Sequence, residues 1–183
     1  MPTPNLRVHG GEARGRRLVA PPGIRPSQGV VKEAIFNVLA DGVVGARVVD
    51  LYAGSGALGV EALSRGAEHV TFVERGERQL GAIRRNLATL GYEERATVAR
   101  EDAERWLGAH PEEVAAAAVV LLDPPYNDPV LIRSLQLLDR LSGPEATVVV
   151  EHSPRQELPA LERLRVVREK RYGDTQVTVL QAA

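Results

Sequence analysis

Between Arg47 and Ser64 the chain runs from a short apolar segment, Arg47–Leu51, through a glycine-spaced turn, Ala53-Gly54-Ser55-Gly56-Ala57-Leu58-Gly59, into an apolar helical stretch expected to end near Ser64. No other feature of the 183 residues limits the fold as tightly. A strand that turns sharply into a helix packs that helix back across itself. It then needs a parallel strand beside it, which points to a parallel α/β sheet. The rest of the chain keeps the same rhythm. Strands are expected at His69–Glu74, 96–100, 117–122 and 146–150, with helices over 78–90, near Trp106 and over 130–141. The run Ala117–Leu122 is almost wholly apolar, as a strand covered on both sheet faces must be. Near the C-terminus, 164–168 and 176–180 flank Tyr172-Gly173-Asp174 and predict an antiparallel hairpin. Upstream, Leu6–Val8, Gly10-Gly11 and Arg16–Ala20 read as a small β-hairpin or arm. Ser27 is the expected N-cap of a helix reaching about Ala40.

Composition narrows the class. Hydrophobic residues make up 44% and charged ones 26%, enough apolar material for a full core and too much for a disordered chain. The longest apolar run, ending at Leu122, falls far short of the ~20 residues of a membrane span. The N-terminal stretch has no apolar core of a secretory signal, so a cytoplasmic protein is expected. With no cysteine there is no thiolate metal site and no cysteine nucleophile. The four histidines are scattered, and no metal is expected. Net charge is −1, but its distribution is uneven: residues 1–40 carry +4 and the remainder −5. A basic segment on an acidic body suits either a polyanionic partner or a solvated hairpin.

The glycine turn is a G-x-G-x-x-G at Gly54, Gly56 and Gly59, between a strand and a helix. Glycines there let a ligand approach backbone N–H groups closely. Glu74 ends the next strand 20 positions after Gly54, the spacing at which a carboxylate accepts from two ribose hydroxyls. A nucleoside cofactor follows. Its kind is suggested by Asp50, four residues before Gly54. A carboxylate at the mouth of the loop disfavours a pyrophosphate and favours a cationic ligand such as S-adenosylmethionine, which carries an ammonium and a sulfonium. Asp50 could equally cap the turn.

The second signal is Asp123-Pro124-Pro125-Tyr126, directly after the buried strand. Two prolines stiffen a loop at a strand's carboxyl end, where open α/β sheets place their ligands. Neither proline donates a hydrogen bond, so the loop offers carbonyls and the Asp123 carboxylate, acceptors matched to an exocyclic amine. Tyr126 adds a face on which a base can stack, and its phenyl ring is expected to matter more than its hydroxyl. Otherwise, Pro-Pro merely ends a strand and Tyr126 fills a gap.

These motifs together resemble a class I S-adenosylmethionine-dependent amino-methyltransferase. More narrowly, RVHGGEARGRRLVAPPGIRPSQGVVKEAIFNVL, EALSRGA and YGDT resemble the RsmD family over about Arg7 to Leu180. That family methylates the guanine N2 amine in small-subunit (16S) ribosomal RNA. The resemblance implies an α/β, Rossmann-like class I methyltransferase fold with a seven-stranded, mostly parallel sheet, an antiparallel C-terminal hairpin and a small N-terminal β-arm. It implies one methyltransferase domain over 1–183, with 1–26 as the basic arm. Asp50 and the backbone of Ala53, Gly54, Ser55 and Gly56 are expected to hold the methionine part of the donor, Glu74 the ribose, and Asp102 with Ala103 the adenine edge. Asp123, Pro124, Pro125 and Tyr126 are expected to receive the guanine. Arg14, Arg16, Arg17, Arg25 and Lys32 map to the region that tracks RNA phosphates, with ribosomal RNA or an assembling subunit as the partner and a monomer as the expected state.

Three other readings stand beside this one. An amino-methyltransferase of the same fold could act on adenine N6 in RNA or DNA, or on protein. An NAD-dependent oxidoreductase leaves the Asp-Pro-Pro-Tyr loop without a role. A non-catalytic nucleic-acid-binding module would bind RNA indifferently to the methyl donor.

Overall fold

Where apolar residues recur on both faces of a short segment, the chain forms interior strands. The computed structural model describes residues 6–23 and 29–183, and among these seven strands share one sheet. They are β1 (Arg47–Leu51), β2 (His69–Glu74), β3 (Ala96–Arg100), β4 (Val119–Leu122), β5 (Thr147–His152), β6 (Leu164–Tyr172) and β7 (Thr175–Ala182), in the spatial order β3-β2-β1-β4-β5-β7-β6. β1 to β5 are parallel, and β7 is antiparallel to both β5 and β6. The helices are α1 (Gly29–Leu39), α2 (Ala57–Ser64), α3 (Glu77–Leu90), α4 (Ala103–Ala109), α5 (Pro111–Ala116) and α6 (Val130–Leu141).

The strands divide their side chains between two cores by strict alternation. Val48, Phe72, Leu121 and Val149 face α1, α2 and α3, where Ile35, Phe36, Leu63 and Ile83 meet them. Val49, Val73, Leu122 and Val150 face the other way, against Trp106, Leu107, Leu131 and Leu135 of α4 and α6. The order of strands reverses between β1 and β4. Loops leaving the carboxyl ends of these two strands diverge there and open a crevice.

The expected bounds of β1, β2, β3 and α6 match the structure. The fourth strand begins at Val119, two residues later than expected, because Ala115 and Ala116 finish α5, a helix opened by Pro111. The N-terminal hairpin is reduced to one antiparallel bridge, Arg7↔Arg17, with flanking bonds from Val8 N–H to Arg16 O (3.0 Å) and Leu18 N–H to Leu6 O (2.8 Å). The expected Ser27 cap lies outside the described residues.

Burial of a charge fastens this arm to the body. α1 turns Val31, Ile35 and Phe36 inward, and Lys32 goes with them. Its Nζ lies 3.1 Å from Glu61 Oε2 of α2 and donates to Arg7 O at 2.5 Å. Glu61 also accepts from the N–H groups of His9 and Gly10 and from Arg65 Nε. Burial pushes the Glu61 carboxyl up, but Lys32, the His9 N–H and Arg65 together outweigh it and hold it below the usual carboxylate range. Lys32 is therefore not an RNA-facing cation. It is an interior ion-pair partner, which corrects its expected place among the phosphate-tracking residues.

Candidate active site

The loop from β1 to α2 takes its shape from close contacts that exclude side chains. Gly56 has φ +79° and donates its N–H to Ala53 O at 2.7 Å. It is buried under the turn and shapes the loop, while Ala53, Gly54 and Ser55 line the crevice. At Gly59 a Cβ would lie 2.3 Å from Phe72 Cε1 and 3.0 Å from Asp50 Oδ2. Without one, the Gly59 N–H reaches Asp50 Oδ2 at 2.9 Å. Asp50 thus braces the first turn of α2 and faces the crevice as well. Burial raises its carboxyl well above the ordinary range. The Gly59 N–H opposes that shift, and the charges of Asp123 and Glu74 add to it.

Glu74 does more than end β2. Its Oε2 accepts the Gly54 N–H at 2.9 Å, and its Oε1 accepts the N–H groups of Arg75 (2.9 Å) and Gly76 (2.8 Å). It locks the glycine loop to the neighbouring strand; Oε1 has both lone pairs engaged by Arg75 and Gly76, and Oε2 keeps one for a ligand hydroxyl. Asp102 caps α4 through Oδ1, accepting from Glu104 and Arg105 N–H, while its Oδ2 lies 4.0 Å from Arg75 Nη1. Ala103 is buried beside it in the first turn of α4.

On the other side of the crevice, β4 runs into the Asp123–Tyr126 loop. Pro124 is buried and Pro125 exposed. The Tyr126 hydroxyl is hydrogen-bonded to the hydroxyl of Thr175, a buried residue at the start of β7. The hydroxyl therefore helps to hold the ring in place, a role beside the stacking face expected from the sequence. Asp128 follows, its Oδ1 accepting Val130 N–H at 3.0 Å to open α6.

These loops enclose one cleft of about 620 Å³. It is lined by Asp50, Glu74, Glu101, Asp102, Asp123, Asp128 and Glu151, with Arg75 the sole lysine or arginine among the described lining residues. A pyrophosphate would meet this wall unfavourably, whereas a sulfonium and an ammonium would offset its charge. The donor set and the glycine-shaped cradle fit S-adenosylmethionine. Among the described residues no cluster of His, Asp or Glu is arranged to hold a metal ion.

Sequence reasoning missed three members of the cleft. Glu151, at the end of β5, carries no local motif, and Thr175 stands in the YGDT stretch with no local sign of its partner. Tyr52 stands in the left-handed region at φ +58°, its hydroxyl 2.6 Å from Ser134 Oγ. Burial pushes the Tyr52 phenol up to about 12. On the arm, Arg14, Arg16 and Arg17 are exposed, and Arg16 also reaches Thr89 O of α3 at 3.3 Å. Arg25 lies outside the described residues.

A parallel sheet with one reversed strand, a glycine loop closed by an acid on the adjacent strand, and an acceptor-rich loop across the switch point define a class I S-adenosylmethionine-dependent methyltransferase. Residues 6–181 match the family described as Conserved hypothetical protein 95. The protein YlbH of Bacillus subtilis (strain 168) is 40% identical over 179 residues, 95% of this chain and 97% of its own. Ribosomal RNA small subunit methyltransferase D of Escherichia coli (strain K12) is 36% identical over 160 residues, 85% of this chain and 79% of its own. The chain belongs to that family, the RsmD methyltransferases. The same fold recurs in an RNA methyltransferase from Salinibacter ruber solved in complex with S-adenosyl-L-homocysteine, with a TM-score of 0.67, 17% identity, and coverage of 86% of this chain and 94% of that one.

Proposed function

We propose that this chain transfers the methyl group of S-adenosylmethionine to the exocyclic N2 amine of a guanine in small-subunit ribosomal RNA. The observation that carries the reading is the cleft itself. A strongly acidic donor site opens directly onto a loop made of acceptors, Asp123 and the Pro124 carbonyl, with Tyr126 braced beside them. The relatives' names support ribosomal RNA as the polymer, and a loop rich in acceptors supports an amine as the group received.

In this reading Asp50 and the backbone of Ala53, Gly54, Ser55 and Gly56 hold the donor's amino-acid end, Glu74 its ribose, and Asp102 with Ala103 its adenine. When bound, the donor supplies an activated methyl whose transfer leaves a neutral thioether, so no residue has to act as a general acid. The guanine amine is a poor nucleophile because its lone pair is delocalised into the ring. Asp123 and the Pro124 carbonyl accept its hydrogens, and those bonds strengthen as the nitrogen becomes tetrahedral and partly positive. Tyr126 stacks on the base and holds it in line with the methyl. Asp123 takes the proton afterwards.

Residues 1–26 act as the basic arm of one methyltransferase domain, which works as a monomer in the cytoplasm without a metal. Among the described residues no helix is long and apolar enough to cross a membrane. The test offers labelled S-adenosylmethionine with naked small-subunit RNA, assembled small subunits, DNA and bulk protein in parallel. Label is expected in the RNA. Label only in DNA or protein would overturn the substrate assignment.

A further inference from the structure

The cleft that suits a cationic donor is a poor neighbour for RNA. Its carboxylates repel phosphates, so the target base must enter while its backbone stays on the rims, where cations have to hold it. One rim is the arm: Gly23 lines the cleft, and Asn86 of α3 ties both Val19 of the arm and Ser55 of the glycine loop to itself. Another rim is the turn between β6 and β7, where Thr175 lines the cleft and holds Tyr126. β6 runs parallel to β5, so its C-terminal end, Lys170 to Tyr172, comes out at the carboxyl edge of the sheet beside the cleft.

That strand has an unusual surface. Arg165, Arg168, Lys170 and Arg171 are exposed against one acid, Glu169. Glu169 accepts from Gln176 and Thr178 of β7. Among the described residues none of the four cations shows an ion pair with a carboxylate, as is also true of Arg78, Arg84, Arg85 and Arg140, but only on β6 do four such cations share one strand. Arg168, Lys170 and Tyr172 line a groove of about 220 Å³ against Asn37 and Val38 of α1. The strand is held firmly: Asp139 of α6 accepts the N–H groups of Glu162, Arg163 and Leu164 just where β6 begins. Charge on an edge strand also discourages sheet-to-sheet pairing, but that role requires neither a single sign nor a groove.

Resting on the proposed function, we infer that the β6 edge is a second RNA-binding surface, on which Arg168 and Lys170 contact phosphates of the substrate strand while the arm holds the other flank. The target nucleotide is presented from a backbone clamped on both sides of the acidic cleft.

The test compares the full chain with the double variant R168E/K170E. A control variant, R47E/R140E, makes the same net change at Arg47, the amino end of β1, and Arg140, the last turn of α6. Binding of naked small-subunit RNA is titrated with salt, and the KM for RNA and the affinity for S-adenosyl-L-homocysteine are measured alongside. With two phosphates no longer neutralised, the slope of log affinity against log salt should flatten by about 1.4–1.8. The RNA KM should rise about tenfold, the affinity for S-adenosyl-L-homocysteine should stay unchanged, and the control should behave as wild type. Wild-type slope and KM in R168E/K170E, with transfer intact, would overturn the β6 surface and leave the proposed function standing. Loss confined to assembled subunits would replace RNA with a protein partner at this edge. No RNA methylation by the wild type would overturn the proposed function and this inference together.

Discussion

A carboxyl group as deeply buried as Asp50 resists ionisation until a cation arrives. Burial raises it, and Asp123 and Glu74 add to the cost of its charge. Because its folded pKa is raised, Asp50 subtracts stability as pH climbs from the ordinary carboxylate range through the raised value. A bound cationic donor pulls the same group back down. Donor affinity should therefore weaken as pH falls and Asp50 becomes protonated, and binding should release a proton within that window, seen by calorimetry in buffers of different ionisation heat. D50N should retain the bond to Gly59, keep or raise the melting temperature of the free protein, and lose both the pH slope and at least about tenfold in donor affinity. An unaltered pH slope in D50N would assign the linkage elsewhere. Across the cleft, removing either hydroxyl of the Tyr126–Thr175 pair, by Y126F or T175V, should raise the RNA KM about two- to tenfold and leave donor affinity alone. Equal RNA KM in both variants and wild type would show the ring to be held by the prolines alone. The first of these sites was legible in the sequence because Asp50, the glycines and Glu74 fall within one strand–turn–helix–strand stretch. The Tyr126–Thr175 bond was not: it joins residues 49 positions apart, and nothing local to either marks the other.

The arm, α1 and α2 depend on each other through one buried cluster. Lys32 and Glu61 are almost fully enclosed, and Glu61 also collects the N–H groups of His9 and Gly10. Replacing Glu61 with alanine leaves Lys32 charged in the interior and frees the arm. It should cost roughly 3–5 kcal/mol in denaturant unfolding and remove hydrogen-exchange protection from the amides of His9 and Gly10. A small loss with those amides still protected would mean that the arm is held by packing alone. Because the Glu61 carboxyl is held below its ordinary range, the stability it contributes is present above the unfolded carboxylate pKa and disappears as pH falls through the lowered value. Sequence periodicity located most elements but not this linkage. Lys32 counted as one more cation in a basic segment, and its partner lies on another helix. The same limit explains α5 and β4. Four successive alanines, Ala115 to Ala118, carry no period that separates helix from strand, and only the preceding proline and the β-branched Val119-Val120 decide the boundary. β6 extends past its expected end through Glu169 to Tyr172, because an edge strand needs no apolar alternation on its open side.

At the scale of the whole molecule, charge is sorted by location: carboxylates line the cleft, and exposed cations gather on the arm and on the β6 edge. A formal net charge of −1 conceals this arrangement. Reversing Arg14, Arg16 and Arg17 to glutamate should weaken RNA binding and flatten its salt dependence by about 0.7–0.9 for each phosphate that the arm neutralises, measured on naked small-subunit RNA. An unchanged slope would mean that the arm faces solvent in the complex. The central claim is narrower: Asp123 and its loop receive a guanine amine. Its most direct test is to incubate hypomethylated small subunits and their naked RNA with labelled S-adenosylmethionine and either the wild-type enzyme or D123A, then digest the RNA and identify the labelled nucleoside by mass spectrometry. The account predicts N2-methylguanosine from the wild type, and from D123A a yield lower by orders of magnitude with donor affinity nearly intact. Label on any other nucleoside, or near-normal turnover by D123A, would contradict it.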